Sequence, residues 1–271
     1  MKLRTRVRRI ANLVHACASQ FANPSYAVRA LGELPFFIRN CYRYSKLAGA
    51  QSFPAFDLLP QLHDRIAITP FEPHYFYMGA WATRRLIAQN PALHVDIGGE
   101  GRFISTLIAA MPVVFVDYRP LRASLSGLHR IVGDILSLPF ADESLKSLSC
   151  LHVAEHIGLG RYGDPLDPNG TAKAIEELRR VTAAGGDLLF ALPVGLERVC
   201  FNAHRVHAPA AIAELFADFD LVEFSGVHDD GTFVEHANLH DFDADEYGCG
   251  LYWFRKRATA TAAIFTEPSP C

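Results

Sequence analysis

The sequence predicts an α/β protein whose core is a mainly parallel sheet of seven strands with an antiparallel hairpin at its C-terminal end. Three observations support this fold class. Short apolar runs alternate with segments whose apolar residues recur at helical spacing. A glycine-rich turn joins the first predicted strand to a helix within residues 93–117. Two late strands follow each other with no convincing helix between them, which is typical of a terminal hairpin.

The composition limits the classes of protein that the chain can represent. A chain of 271 residues, half of them hydrophobic, can bury one large core with a small extension. The net charge of −3 does not indicate a nucleic-acid partner. Six cysteines without a C-x-x-C pair favour buried thiols in a reducing compartment over a disulfide framework or a zinc site. We therefore expect a cytoplasmic protein.

The first 73 residues predict a helical extension or cap. Residues 1–32 contain six basic residues and no acidic one, and residues 1–23 show an amphipathic helical pattern that ends at Asn23-Pro24. This helix either lies on the anionic inner face of a membrane as a peripheral contact or packs on the main domain. The rest of the extension predicts short helices interrupted by prolines, of which Pro35 is the first.

The first β–α–β unit begins after a helix predicted from Tyr75 to Asn90. Its first strand ends in Asp96, its turn contains Gly98 and Gly101, and its second strand ends in Asp117. A predicted helix, Phe103 to Ala110, joins the two strands.

Asp117 lies 21 positions after Asp96, close to the spacing at which a carboxylate holds a ribose in nucleotide-binding crossovers. Glycines in such a turn let backbone N–H groups approach the ligand. Glu100 and Arg102 stand where small residues belong in this turn.

The remaining elements follow the same alternation. Gly185-Gly186 is predicted to cap the helix that precedes the fifth strand. The predicted elements are strands at Arg130–Asp134, Leu145–Leu151, Leu188–Leu192, Leu221–Val227 and Leu251–Phe254, and helices from about Thr171 and from Pro209 to Phe216.

Several motifs in this order resemble those of class I S-adenosylmethionine-dependent methyltransferases, which implies their Rossmann-like fold. They are Gly133–Phe140, Glu155-His156, Glu177–Val181 and Gly185–Leu189. The chain also resembles, over residues 74–254, a methyltransferase-like family of domains of unknown function that is associated with bacterial surface-polysaccharide genes. This narrower resemblance rests on His74–Tyr77, His94–Gly98, Asp117–Leu121, Ser147–His152, Glu155–Pro165 and Phe201–Val206. The resemblance implies a methyltransferase-like domain at residues 74–257 and a C-terminal tail at 258–271.

The resemblance also implies a cofactor site for S-adenosylmethionine. Asp96, Gly98 and Gly101 would line the methionine side of the cofactor and the backbone turn. Asp117 would hold the ribose, and Asp134 with Ile135 would face the adenine. The alternative is that Asp96 only ends a strand and that the glycines only form a turn.

The acceptor side is expected beyond the fourth and fifth strands, where ligands of such sheets bind. Candidate catalytic residues are His152, Glu155, His156 and His204. Candidate substrate-binding residues are Arg161, Tyr162, Asp164, Arg205 and His207. In the pair Glu155-His156, either His156 acts as a base or the two residues only begin a helix. The arginines either clamp an anionic acceptor or pair with Asp164 and Asp167 to hold the loop.

These residues predict a methyltransferase, directed at a hydroxyl of a saccharide or another small glycan precursor. The rival hypothesis is a catalytically silent domain that binds a glycan intermediate or an assembly partner, and a third is a transferase with a nucleotide-linked donor. No metal site is predicted. The acidic segment His228–Glu246, with three histidines and seven acids, is typical of a solvated loop.

Overall fold

The computed structural model describes Val14, residues 24–119 and residues 121–258. The amphipathic helix predicted within residues 1–23 lies outside the described residues except for Val14, and the tail from residue 259 lies outside them entirely. The chain divides into two compact units, Met1–Pro70 and Phe71–Cys271. No helix of the described part is long and apolar enough to span a bilayer.

The first unit contains one long helix, α1 (Pro24–Ser45), followed by irregular chain with a single 3₁₀ turn at Ala55–Asp57. The prediction of several short helices here was wrong. Helix α1 continues through Pro35, although proline supplies no backbone N–H to the helix.

The second unit contains the predicted α/β sheet. Its helices are α2 (Pro73–Gln89), α3 (Gly101–Leu107), α4 (Gly170–Val181) and α5 (Pro209–Leu215). Its strands are β1 (His94–Ile97), β2 (Val113–Asp117), β3 (Leu128–Val132), β4 (Leu145–Leu151), β5 (Thr182–Val194), β6 (Arg198–Cys200), β7 (His204–Val206), β8 (Phe219–Val227), β9 (Phe233–Val234) and β10 (Gly248–Lys256).

The sheet confirms the Rossmann-like methyltransferase fold. Its strand order is β3-β2-β1-β4-β5-β10-β8-β9, with β1 to β5 parallel to one another and β10 antiparallel to both of its neighbours. The sheet has eight strands rather than seven, because the two-residue strand β9 adds to its edge. Strands β6 and β7 form a separate pair that the sequence pattern did not predict.

One predicted helix cap is instead part of a strand. Gly185-Gly186 lies inside β5, which follows α4 directly. The pairing of β5 with β4 shifts register between Leu145 and Ser147, and Gly185 has a φ of +71°. A Cβ on Gly186 would overlap the carbonyl oxygens of Ala183 and Leu145. The glycines therefore permit an irregularity in the hydrogen-bond ladder between β4 and β5, which is a common role of glycine within strands.

Hydrophobic residues cover both faces of the sheet. Helices α4 and α5 pack on one face through residues such as Leu178 and Ile212, and helices α2 and α3 pack on the other through residues such as Trp81 and Ile104. The carboxyl ends of the parallel strands lie together at one edge of the sheet, which is where ligands bind in open α/β sheets.

A buried carboxylate ties helix α2 to the sheet. Glu223 of β8 accepts hydrogen bonds from Trp81 Nε1 at 3.0 Å and Ser225 Oγ at 2.7 Å, and it pairs with the Arg85 guanidinium. The side chains of Arg85 and Glu223 are only 11% and 7% exposed. Losing one partner of such a pair leaves the other charge buried without compensation.

We predict that Glu223→Ala lowers the free energy of unfolding by about 3 kcal/mol, because the Arg85 charge keeps only the more distant Glu235, at 3.7 Å, and the Trp81 N–H loses its acceptor. Asp220→Ala on the same strand is the control, since the Asp220–Arg257 pair is exposed and should contribute little. Urea unfolding of both variants measures the difference, and equal losses would contradict the role given to Glu223.

Candidate functional site

The turn after β1 is held by a buried hydrogen-bond chain. The register of β1 and β4 places Asp96 opposite Ser149. Ser149 Oγ donates to Asp96 Oδ2, and the backbone N–H of Gly99 donates to Asp96 Oδ1 at 2.8 Å. The His94 ring bridges Ser147 and Ser149 at 2.8 Å each. All side chains of this hydrogen-bond network are buried, so they support the turn from inside the protein.

Burial has the largest effect on the pKa values of Asp96 and His94 in this network. It raises the pKa of Asp96 to about 6, against the opposing hydrogen bonds from Ser149 and Gly99. It lowers the pKa of His94 to about 3, so that this imidazole is neutral. Asp96 lines neither of the cavities described below. Asp96 therefore supports the turn. It was predicted to line the methionine side of the cofactor, but its side chain does not reach either cavity.

The structure explains why two positions of the turn are occupied by glycine. Gly98 has a φ of +67°, a conformation that side chains rarely adopt. A Cβ on Gly99 would overlap the carboxylate of Asp96. Gly101, which begins α3, has open space around it. The glycines that the turn requires are therefore Gly98 and Gly99, whereas the sequence pattern singled out Gly98 and Gly101.

A narrow pocket of about 100 Å³ opens at the carboxyl ends of β1, β2 and the segment after β3. Apolar side chains form much of its wall, and three carboxylates, Asp117, Asp134 and Asp164, also line it. One oxygen of Asp134 accepts the Leu136 N–H at 2.9 Å. The apolar residues of this wall include Ile97, Val116, Ile135, Leu136, Val153 and Ile157.

Arg119 engages the carboxylate of Asp117. The Arg119 backbone N–H donates to Asp117 Oδ1 at 2.7 Å, and its guanidinium lies 3.3 to 3.5 Å from the two oxygens. The same guanidinium lies 4.5 Å from the centre of the Tyr162 ring, and that of Arg161 lies 5.2 Å from it. Because the Arg119 side chain is 62% exposed, a ligand can displace it from Asp117 at small cost.

A wide cavity of about 630 Å³ continues from the narrow pocket, and the two share Gly98, Asp117, Arg119, His152, His156 and Tyr162. Its lining is polar and aromatic. The remaining members that bear on chemistry are Glu72, Tyr75, Glu100, Glu155, Arg161, His204 and Tyr247. A donor group in the narrow pocket and an acceptor in the wide cavity would therefore lie side by side.

His152 and Glu155 form a buried ion pair at the floor of the wide cavity. Glu155 Oε1 accepts from His152 Nδ1 at 2.9 Å, and His152 Nε2 lies 3.2 Å from Cys249 Sγ. Burial alone would raise the pKa of Glu155, but the hydrogen bond and charge of His152 outweigh it and lower that pKa. His152 has a φ of +57°, a strained conformation for a residue with a side chain, which is often found at functional sites.

His156 is held by the protein on both sides of its ring. Its Nδ1 lies 2.6 Å from the Ala203 carbonyl oxygen, which can only accept, so Nδ1 carries the proton. Its Nε2 lies 3.6 Å from Glu155 Oε1. Arg161 also donates to the Ala203 oxygen, at 3.0 Å. The structure brings His156 to the predicted site but directs both ring nitrogens at other protein groups.

His204 is the histidine of the wide cavity with the fewest restraints. Its ring lies 4.7 Å from that of Tyr247, and among the described residues no hydrogen bond holds it. Burial lowers the pKa of His204, and the charges of His156, Arg198 and Arg161 act in the same direction. The Glu155 carboxylate opposes them. A neutral imidazole beside the cavity can accept a proton.

The loop at residues 158–170 combines a brace with a cavity wall. Asp164 accepts the backbone N–H groups of Gly158, Gly160 and Tyr162 at 2.7 to 3.3 Å. These bonds shape the loop, so the Asp164 carboxylate has little capacity left for a substrate. The exposed side chains of Arg161 and Tyr162 face the wide cavity.

Two predicted substrate-binding residues lie outside both cavities. Arg205 is 6% exposed, and its guanidinium donates to the carbonyl oxygens of Ile157 and Asp167. Its hydrogen-bonding capacity therefore serves the loop, not an acceptor. His207 is not part of either lining, and its Nε2 is buried without a hydrogen-bond partner among the described residues.

Several cavity residues were not among the predicted site residues, and three of them, Glu72, Tyr75 and Tyr247, bring polar or aromatic groups to the wide cavity. Glu72 and Tyr75 come from the start of α2, and Tyr247 precedes β10. The resemblance motif His74–Tyr77 was the available signal for Tyr75. No local pattern could place Tyr247, because β10 reaches the site only by pairing next to β5.

Comparison with known proteins gives one family match. Residues 140–248, less than half of the chain, are similar to the family described as Caenorhabditis protein of unknown function, DUF268. A comparison with curated proteins found no match.

Among solved structures, the chain is similar to an N-methyltransferase, NodS from Bradyrhizobium japonicum WM9, in complex with S-adenosyl-L-homocysteine. The identity is 17%, the match covers 81% of this chain and 98% of that one, and the TM-score is 0.47. A putative sarcosine dimethylglycine methyltransferase from Galdieria sulphuraria gives 14% identity, coverage of 68% and 86%, and a TM-score of 0.49. Both TM-scores lie below 0.5.

We predict that Gly99→Ala destabilises the turn and that Gly101→Ala does not. The first substitution forces a Cβ into the Asp96 carboxylate, whereas the second places one in open space at the start of a helix. Thermal unfolding should show a melting temperature several degrees lower for Gly99→Ala alone. Equal melting temperatures would mean that Asp96 does not support the turn as described.

Proposed function

We propose that this protein is an S-adenosylmethionine-dependent methyltransferase that methylates a hydroxyl group of a saccharide or glycan precursor at the cytoplasmic side of the membrane. The observation that carries the proposal is the narrow pocket, lined by Asp117 and Asp134 among its carboxylates, that opens directly into a polar, aromatic cavity containing a neutral histidine.

The narrow pocket fits the adenosine part of this cofactor. Asp117 can accept the ribose hydroxyls once Arg119 is displaced, and the second oxygen of Asp134 can accept the adenine amine. Ile135 and its apolar neighbours provide walls for the base. Gly98 lets the backbone approach the ligand closely. When bound, S-adenosylmethionine supplies an electrophilic methyl group on its sulfonium.

Glu100 does not prevent binding of an anionic group at this turn. Its carboxylate lies 3.5 Å from the Arg102 guanidinium, which compensates part of its charge. The other polar groups of the turn are backbone N–H groups at the start of α3, where partial positive charge favours a carboxylate.

The wide cavity fits a polyhydroxylated ring. Tyr75, Tyr162 and Tyr247 offer aromatic faces for its apolar side, and Glu72 offers a hydrogen-bond acceptor. Arg161 has no carboxylate within salt-bridge distance among the described residues, so its charge suits an anionic substituent of the acceptor. The resemblance to domains associated with surface-polysaccharide genes supports the same class of acceptor.

The chemical step needs alignment and one proton acceptor. His204 would accept the proton of the acceptor hydroxyl, whose oxygen would take the methyl group that the bound cofactor would supply. The cavity walls align the two reactants, which contributes more than the base does. Glu155, the buried anion of the site, stabilises the imidazolium that forms.

The rival hypothesis, a silent domain, has one observation in its favour, namely the ion pair of Asp117 with Arg119 in the ribose position. Titration calorimetry with S-adenosylhomocysteine separates the two hypotheses.

We predict that the unmodified protein binds S-adenosylhomocysteine and that Asp117→Ala weakens the binding by about 10- to 100-fold, the effect of losing charge-assisted hydrogen bonds. Asp142→Ala is the control, because Asp142 is exposed and lines neither cavity. Absence of binding by the unmodified protein would favour the silent domain.

We predict that His204→Gln lowers the rate of methyl transfer by about 100-fold or more with cofactor affinity unchanged. Transfer of labelled methyl groups to a panel of nucleotide sugars and uronic acids measures this rate, with the exposed His240→Gln as control. A lowered pKa keeps His204 neutral to below pH 6.5, so the acidic limb of the rate profile should lie below that pH. A fully active His204→Gln protein would exclude this residue as the base.

A further inference from the structure

Three metal-binding side chains meet beside the wide cavity although they are far apart in the chain. His74 comes from α2, His152 follows β4, and Cys249 belongs to β10. Their donor atoms all lie within 4.8 Å of one another, and all three residues are buried. No metal was predicted from the sequence, since these residues share no local spacing pattern.

We propose that His74, His152 and Cys249 bind one zinc-class divalent transition-metal ion. This inference does not depend on the methyltransferase proposal, because binding of an ion by these side chains requires neither cofactor nor acceptor.

The distances are close to those of a metal site. Ligands at about 2.0 to 2.3 Å from a tetrahedral ion stand roughly 3.5 Å from one another. His152 Nε2 and Cys249 Sγ are 3.2 Å apart, which is already near this value. The largest separation within the group, at most 4.8 Å, needs to shrink by roughly 1 Å, which side-chain rotation can provide.

The surroundings of His152 are those of a metal ligand. Metal-bound histidines commonly donate their other ring N–H to a carboxylate, which orients the ring. Glu155 accepts from His152 Nδ1 at 2.9 Å and thereby leaves Nε2 directed at the sulfur. Glu155 is itself fully buried, and its Oε2 has no hydrogen-bond partner among the described residues. A metal ion on a neutral His152 would replace the proton of this imidazole in balancing the Glu155 charge.

A purely structural role explains the group less well. His74 stacks on His152 with ring centres 5.9 Å apart, and on Tyr247 at 5.2 Å. Two imidazoles, a thiol and a carboxylate are costly to bury, whereas apolar side chains would fill the same space without that cost. Binding of one metal ion by these polar groups would explain why they lie close together.

The donor set selects the ion. Thiolate and imidazole favour zinc and similar transition metals, whereas magnesium and calcium require oxygen ligands. Three protein ligands leave one position for water or substrate, as in catalytic zinc sites. His152 lines the wide cavity, so this position would adjoin the proposed acceptor space.

Titration of the chelator-treated, full-length protein with Co²⁺ tests the proposal. We expect one Co²⁺ per chain, a thiolate-to-cobalt charge-transfer band, and displacement of Co²⁺ by Zn²⁺ but not by Mg²⁺. Cys249→Ser should abolish the band, and Cys200→Ser, a thiol outside the group, should retain it.

Two further variants keep the test decisive if Cys249→Ser is unstable. His74→Gln should weaken Co²⁺ binding by more than about 100-fold. Glu155→Gln should weaken it by about 10- to 100-fold while retaining the charge-transfer band, as expected for a residue that orients a ligand. Circular dichroism verifies that each variant is folded. Absence of stoichiometric binding by the unmodified protein, or Co²⁺ binding by the His74→Gln and Cys249→Ser proteins as tight as that of the unmodified protein, would overturn the proposal.

Discussion

The buried carboxylate of Asp96 is the constraint on which the rest of the site depends. This carboxylate is fully buried and accepts hydrogen bonds from the Gly99 N–H and the Ser149 hydroxyl. Burial opposes its ionisation and raises its pKa to about 6. The bonds join the end of β1 to β4 and fix the glycine turn between them. Both cavities include Gly98, so the position of the turn determines how donor and acceptor spaces meet.

The loop at residues 158–170 shows how one segment can be both rigid and available for binding. Its internal bonds come from Asp164, and Arg205 holds its two ends from below. These buried contacts leave Arg161 and Tyr162 exposed at the cavity. The predicted alternatives for this loop, a brace and an acceptor wall, are therefore divided among its residues: the carboxylate shapes the backbone, and the side chains at the tip face the open space.

The wide cavity has two histidine environments with different chemistry. His204 is only partly buried, lacks a carboxylate partner in contact, and favours its neutral form, as the proposed base requires. His152 is buried against Glu155 and Cys249 and cannot rotate freely. The proposed metal ion and the proposed base would thus use different histidines of one cavity, while Glu155 would serve both, because it orients His152 and stabilises the imidazolium of His204.

The sequence by itself determined the succession of strands and helices, the glycine turn, the strand-end positions of Asp117 and Asp134, and the terminal hairpin, because hydrophobic period and turn residues act over short distances. Only the tertiary structure decided that Gly185-Gly186 lies within a strand, since pairing with β4 overrides its capping propensity. The same holds for Arg205 as a brace and for the meeting of His74, His152 and Cys249. Those outcomes depend on which strands pair and in what register, and a local pattern carries no record of either.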